Sequence, residues 1–133
     1  MLSKTVYFHI LIALFFVQGA GAVQLAYNTD TSIIQYGVAS YYADKFEGRK
    51  TANGEIFSQH KMTAAHNTLP LGTMIEVTNL RNNRTVYVKI NDRLHAKNKR
   101  LIDLTKAAAR KLHYINAGLT RVRIRVIDKA DMQ

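Results

Sequence analysis

The sequence predicts a mainly β domain closed into a small barrel, with one or two short helices. Three observations carry this. The chain has 133 residues, 47% of them hydrophobic, which suits one domain with a single modest core. Two stretches, 85–91 and 120–127, alternate apolar and polar residues with the period of a half-buried strand. One stretch, 105–114, carries a helical period instead. A domain this small closes its strands into a barrel more readily than it spreads them into a broad open sheet.

Residues 1–22 read as an export signal. Lys4 precedes a run from Val6 to Val17 that is apolar except for His9, and Ala20-Gly21-Ala22 supplies the small residues of a cleavage site. The run is short of the roughly 20 residues that span a bilayer, so no stable membrane insertion is expected after cleavage. The expected location is the periplasm or the cell wall and exterior. Residues 23–34 show no period and read as a linker or lead-in, which leaves 35–133 as the domain.

Within the domain, 35–42 favours a strand through Val38, Tyr41 and Tyr42. Residues 43–72 are loop-rich, with a turn at Asn53-Gly54 and a single helical turn expected at Thr63-Ala64-Ala65-His66. A strand over 74–80, a turn at 81–84 and a returning strand over 85–91 form a hairpin. In the return, Val86, Val88 and Ile90 share one face. Asp92 continues their phase, which would seat its carboxyl at the rim of the core, where partial loss of water favours the neutral acid. Thr105 is placed to cap a helix reaching about Tyr114, with Leu104, Ala107, Ala108 and Leu112 as its buried stripe. Asp103, just before it, is expected to serve the start of that helix. The last strand, 120–127, turns Val122, Ile124 and Val126 one way and Arg121, Arg123 and Arg125 to solvent.

Composition narrows the function. The chain has no Cys, which excludes a disulfide scaffold, a Cys-based zinc site, a thiol nucleophile and a lipid anchor on cysteine. The net charge of +10 seeks polyanions. Nucleic acid is not the expected partner, because no helix-turn-helix, zinc finger or RNA-binding aromatic motif is present; an exported chain meets wall polymers and anionic lipid instead. His60, His66, His95 and His113 lack the spacing of a metal-binding helix motif, so no metal and no cofactor is expected.

Several separated motifs then occur in order: G-x-A-S-x-Y, T-A-N-G-E, T-A-A-H, L-P-x-G-T, V-T-N-L, N-D-R and I-D-L. Together, from about Gly37 to Val126, they closely resemble the RlpA-like double-psi β-barrel domain of the rare lipoprotein A group of septal lytic transglycosylases. The resemblance implies a six-stranded double-psi β-barrel that binds peptidoglycan glycan strands along a groove; a monomer is expected. It implies catalytic roles for Asp92 of N-D-R and Glu55 of T-A-N-G-E, with His66 of T-A-A-H as a third polar group that tunes them. It places Tyr41, Thr51, Asn53 and Arg93 at the substrate. Septal targeting is not expected, since no SPOR-type domain is read after the barrel. The chain departs from the family at Ser58, where an acidic residue is common, and at Leu94-His95, where N-D-R is commonly followed by Gly-Pro.

The activity so implied is endolytic cleavage of the MurNAc–GlcNAc bond with formation of 1,6-anhydro-MurNAc. Such a reaction needs one acid/base group, because the C6 hydroxyl of the sugar is the nucleophile. Asp92 is the expected acid/base, and Glu55 the group that orients the sugar or stabilises positive charge. Two other classes compete: a non-catalytic, expansin-like wall-binding module that keeps the groove without turnover, and a cationic protein that adheres to anionic surfaces.

Overall fold

The computed structural model describes residues 32–132; the expected export signal and most of the lead-in lie outside the described residues. Six strands close into a ring: β1 (Ile34–Tyr41), β2 (Thr63–Ala65), β3 (Met74–Asn79), β4 (Thr85–Asp92), β5 (Ile102–Leu104) and β6 (Thr120–Val126), with one helix, α1 (Lys106–Lys111), and two 3-10 turns at Asp44–Phe46 and Lys129–Met132. The order around the ring is β1-β5-β2-β4-β3-β6. The pairs β1/β5 and β2/β4 are parallel and the other four antiparallel. This is the double-psi arrangement. No helix among the described residues is long and apolar enough to cross a membrane.

The alternation read in 85–91 and 120–127 is realised in β4 and β6, and β3 packs its Ile75 and Val77 alongside them. Ile75, Val77, Val86, Val88, Ile90, Val122 and Ile124 fill the barrel with Ile102 and Leu104, and Ala108 and Ala109 of α1, with Leu112 just after it, close it. Each large aliphatic side chain fully withdrawn from water contributes about 1.5–3 kcal/mol. On the outside, Glu76 lies between Arg123 (3.8 Å) and Arg125 (3.2 Å), so part of the arginine face is ion-paired rather than simply solvated.

Two expectations from sequence are corrected. Thr63-Ala64-Ala65 is not a helical turn but strand β2, all three residues buried between β4 and β5; tertiary pairing overrides the helical preference of alanine. The helix is also shorter than 105–114. Thr105 does cap it, its Oγ1 accepting from Ala108 N, but Leu104 belongs to β5. The helix stops at Leu112, and His113 takes a left-handed backbone, φ 58.

A third correction bears on the site. Ala64 pairs with Ile90, yet the next β2 residue, Ala65, pairs with Asp92. Strand β4 thus carries one extra residue, Asn91, as a β-bulge. Uninterrupted alternation would send Asp92 inward with Ile90. The bulge turns it to the opposite side instead, beside a second, smaller apolar cluster of Tyr42, Phe57, Ala65 and Leu94.

Candidate active site

The bulge opens Asp92 onto a cleft of about 560 Å³ whose wall includes Tyr41, Tyr42, Arg93, His95, Arg100 and Asp103. Tyr42 stands at the end of β1, its amide donating to Leu104 O at 3.0 Å and its carbonyl accepting from Gln59 Nε2 at 2.8 Å. Its ring packs on Phe57 at a centroid distance of 4.3 Å. So anchored, its phenol donates to Oδ2 of Asp92 at 2.7 Å. Burial, and then the bond to Asp92 and the charges of Asp92 and Asp103, push the Tyr42 hydroxyl far above its ordinary range, so it remains a donor.

The second oxygen of Asp92 is held from the T-A-N-G-E loop. Ala52 N donates to Oδ1 at 2.9 Å. The loop is fixed there because Asn53 N donates to Asn91 O at 3.1 Å, Thr51 N to Glu55 O at 2.8 Å, and Gly54 takes a backbone, φ 87, that L side chains rarely adopt. Both Asp92 oxygens therefore accept from uncharged donors. No ion pair to Asp92 occurs among the described residues; Arg93, its neighbour, is exposed and turns its Nη1 to His66 O at 2.6 Å.

Glu55 is placed differently. It does not line the cleft. Its Oε1 is gripped by Lys89 Nζ and Asn53 Nδ2, and these two, Lys89 first, hold its carboxyl below the usual carboxylate range. A charge-paired anion of this kind is suited to orienting groups rather than to donating a proton.

His66 is buried with both ring nitrogens engaged. Nδ1 accepts from Thr68 N and Leu69 N, each at 3.1 Å, which leaves Nε2 as the donor to Gln35 Oε1 at 2.8 Å. Burial, and then Arg93, lower its pKa, so the neutral ring is favoured. Its ring makes no hydrogen bond to Asp92 or Glu55 among the described residues, but its amide donates to Asp92 O at 3.1 Å. It thereby ties β2 to β4 next to the carboxyl.

Thr51 is buried, and its hydroxyl donates to Asn53 Oδ1 at 2.7 Å. Tyr41 lines the cleft while its hydroxyl donates to Ile115 O at 2.8 Å. The departures from the family pattern are accommodated locally. Leu94 is buried under the cleft and His95 lines it, while Ser58 Oγ accepts from His60 N at 3.2 Å.

Sequence reasoning missed three participants: the phenol of Tyr42, the amide of Ala52, and Asp103. Both Tyr41 and Tyr42 line the cleft, yet the resemblance places only Tyr41 of the two at the substrate, and a backbone donor has no sequence signature. Asp103 does not serve the start of the helix, where Thr105 accepts from Ala108 N and Gln59 accepts from Lys106 N and Ala107 N. It lies in β5 at the cleft, paired through Oδ1 with Arg100 Nε at 2.9 Å and through Oδ2 with Nη2 at 3.1 Å.

The closed ring, with a carboxyl held by neutral donors at an open cleft, defines a double-psi β-barrel with a candidate active site. The comparisons give the family. The lytic transglycolase profile matches residues 34–124, and the chain belongs to that family. It is 50% identical over 103 residues to the endolytic peptidoglycan transglycosylase RlpA of Haemophilus influenzae, covering 77% of this chain and 36% of that protein. It is 50% identical over 91 residues to the RlpA of Campylobacter jejuni, covering 68% of this chain and 33% of that one. The chain thus spans about a third of the length of these curated relatives. Among solved structures, it is similar to a Streptomyces papain inhibitor, with a TM-score of 0.59 and 24% identity over 72% of this chain and 96% of that one. It is also similar to the expansin of Clavibacter michiganensis, with a TM-score of 0.58 and 22% identity over 73% of this chain and 52% of that one. These two likenesses show a shared fold.

Proposed function

We propose that this chain is an endolytic peptidoglycan transglycosylase barrel, exported to act on wall glycan, with Asp92 as its single acid/base. The observation that carries the reading is the setting of Asp92: bulged out of the barrel into the cleft and fixed at both oxygens by uncharged donors. Relatives at 50% identity that are named endolytic peptidoglycan transglycosylases support the substrate. Lys45, Arg93 and Arg100 on the cleft wall suit an acidic polymer.

In the reaction, the Asp92 carboxyl donates its proton to the bridging oxygen as the bond from C1 of MurNAc to that oxygen breaks. The departing GlcNAc keeps the oxygen as a hydroxyl. The C6 hydroxyl oxygen of MurNAc then closes on C1, and its proton passes to the Asp92 carboxylate. The product is a 1,6-anhydro ring, and the acid is regenerated without water. Tyr42 and Ala52 hold the carboxyl in line. Glu55, through its Lys89 pair and its loop, orients Ala52 and Asn53 rather than taking a proton. His66 is a positioning residue, Tyr41 and Arg93 line the cleft as the sugar's seat, and Thr51 and Asn53 hold the loop that carries Ala52.

The test is digestion of purified peptidoglycan followed by mass spectrometry. The expected products are glycans ending in 1,6-anhydro-MurNAc, lost in Asp92→Asn by at least the ~10²–10⁴-fold that acid/base catalysis supplies. Binding to the wall without such products, in the wild type as in Asp92→Asn, would instead establish the expansin-like, non-catalytic module.

A further inference from the structure

We propose that Asp103 is the second carboxylate of the reaction, the one that faces the positive charge developing at the anomeric carbon. The inference rests on the transglycosylase reading of the cleft. It comes from the register of four strands. Asp92 of β4 stands opposite Ala65 of β2, Ala65 opposite Asp103 of β5, and Asp103 opposite Ser40 of β1. Paired residues share a side of the sheet. The two aspartates therefore flank one alanine in a single row. Two strand spacings of about 4.8 Å put their backbones roughly 10 Å apart. The residue between them has only a methyl group, so the space above it stays open, and all three residues line the same cleft.

The two carboxyls are furnished differently. Asp92 receives a phenol and a backbone amide, both neutral. Asp103 receives the fork of Arg100 on both oxygens and is mostly buried, its side chain 15% exposed. A guanidinium thus holds Asp103 by ion pairing on both oxygens, whereas Asp92 carries no cation among the described residues and faces the open cleft. Paired carboxyls with unlike partners divide the acid and the anionic role in this way. Glu55, the other carboxylate of the resemblance, lies outside the cleft wall and is spent on Lys89 and Asn53.

As the C1–oxygen bond breaks and Asp92 gives up its proton, the charge spread over C1 and the ring oxygen faces Asp103. Asp103 forms no bond and takes no proton. Once the C6 oxygen has closed on C1, that charge is gone and Asp103 is unchanged.

The experiment compares Asp103→Asn, Asp103→Glu, Glu55→Gln and wild type in the full chain. It measures the rate of anhydro-end release from purified peptidoglycan, retention on sacculi, and melting. A misplaced charge of this kind costs on the order of 10²–10³ in turnover. Asp103→Asn is expected to lose at least a hundredfold in turnover while retention on sacculi stays within threefold. Asp103→Glu, which keeps the charge and the Arg100 pair, is expected to melt like wild type and still lose at least tenfold. Glu55→Gln is expected to lose less than either. If the wild type releases anhydro ends and a folded Asp103 variant keeps its rate within threefold, the assignment of Asp103 is overturned and the transglycosylase reading stands. If the wild type releases none, that reading fails and this one with it.

Discussion

The phenol of Tyr42 donates to Oδ2 of Asp92 across 2.7 Å, joining the end of β1 to the bulge of β4. This bond fixes a carboxyl that no cation pairs with among the described residues. In Tyr42→Phe the ring keeps its packing on Phe57 while the carboxyl loses one of its two donors. A hydrogen bond to a charged acceptor is worth about 1.5–3 kcal/mol. Turnover on peptidoglycan is expected to fall about tenfold or more, with retention on sacculi unchanged. An unaltered rate in steady-state assays of anhydro-end release would show that the phenol does not hold the reacting group.

His66 makes stability depend on pH. Its pKa is lowered in the folded protein, first by burial, from an ordinary value of 6.5. The unfolded chain therefore takes up the proton more readily than the folded one. The stability that the neutral ring contributes is complete above about pH 6.5 and is lost as the pH falls from there through the lower folded value. Protonation also removes the Nδ1 acceptor used by Thr68 and Leu69. Melting temperatures measured from pH 7.5 down to 5 should fall for wild type and fall less steeply for His66→Gln. Equal slopes would contradict the role given to the neutral ring.

Gly37 of β1 has no room for a side chain. A Cβ built there meets Leu101 Cβ at 2.6 Å. Gly37→Ala must push Leu101 off the partly buried position from which it packs on the core. Overpacking of this kind costs about 1–3 kcal/mol, to be read as a lower urea midpoint. Gly37→Ala with unchanged stability would mean that the β1–β5 corner yields freely.

Asn79 is a buried clasp. Its Nδ2 donates to Leu112 O at 2.8 Å, and its Oδ1 accepts from Thr120 Oγ1 at 2.8 Å and Arg81 N at 3.0 Å. One side chain thus ties the end of α1, the start of β6 and the β3–β4 turn. Asn79→Ala strands several buried groups at once, and unpaired buried polar groups cost about 1–3 kcal/mol each. Denaturant titration should show a loss of at least 2 kcal/mol, or about thirtyfold in the folding equilibrium.

Much of the fold was legible because long strands carry their own period. Val86, Val88 and Ile90 in β4 and Val122, Ile124 and Val126 in β6 announce their inner face. Thr105 announces a helix start. Strands of three residues are too short for any period, so β2 and β5 were read as a helical turn and as a prelude to the helix. The site was half legible. Asp92, Glu55 and His66 were singled out by motifs, but the motifs do not say that His66 spends one ring nitrogen on its own loop and the other on Gln35 of β1, or that Glu55 lies off the cleft. The aim of Asp92 depends on Asn91 being one residue too many, and a bulge is defined only against a partner strand. Asp103 was overlooked for the same reason: its relation to Asp92 runs through Ala65, across chain segments that meet only when β2 lies between β4 and β5.

Strand β6 is the keystone of the ring, laid between β1 and β3. Until residues 120–126 are in place, both neighbours present bare hydrogen-bonding borders, and an arc of five strands has two raw margins instead of none. Synthesis or proteolysis that stops short of Thr120 should therefore yield a sticky, self-associating remnant rather than a smaller working barrel, which makes completion of the last strand the step that commits the molecule to life as a soluble unit.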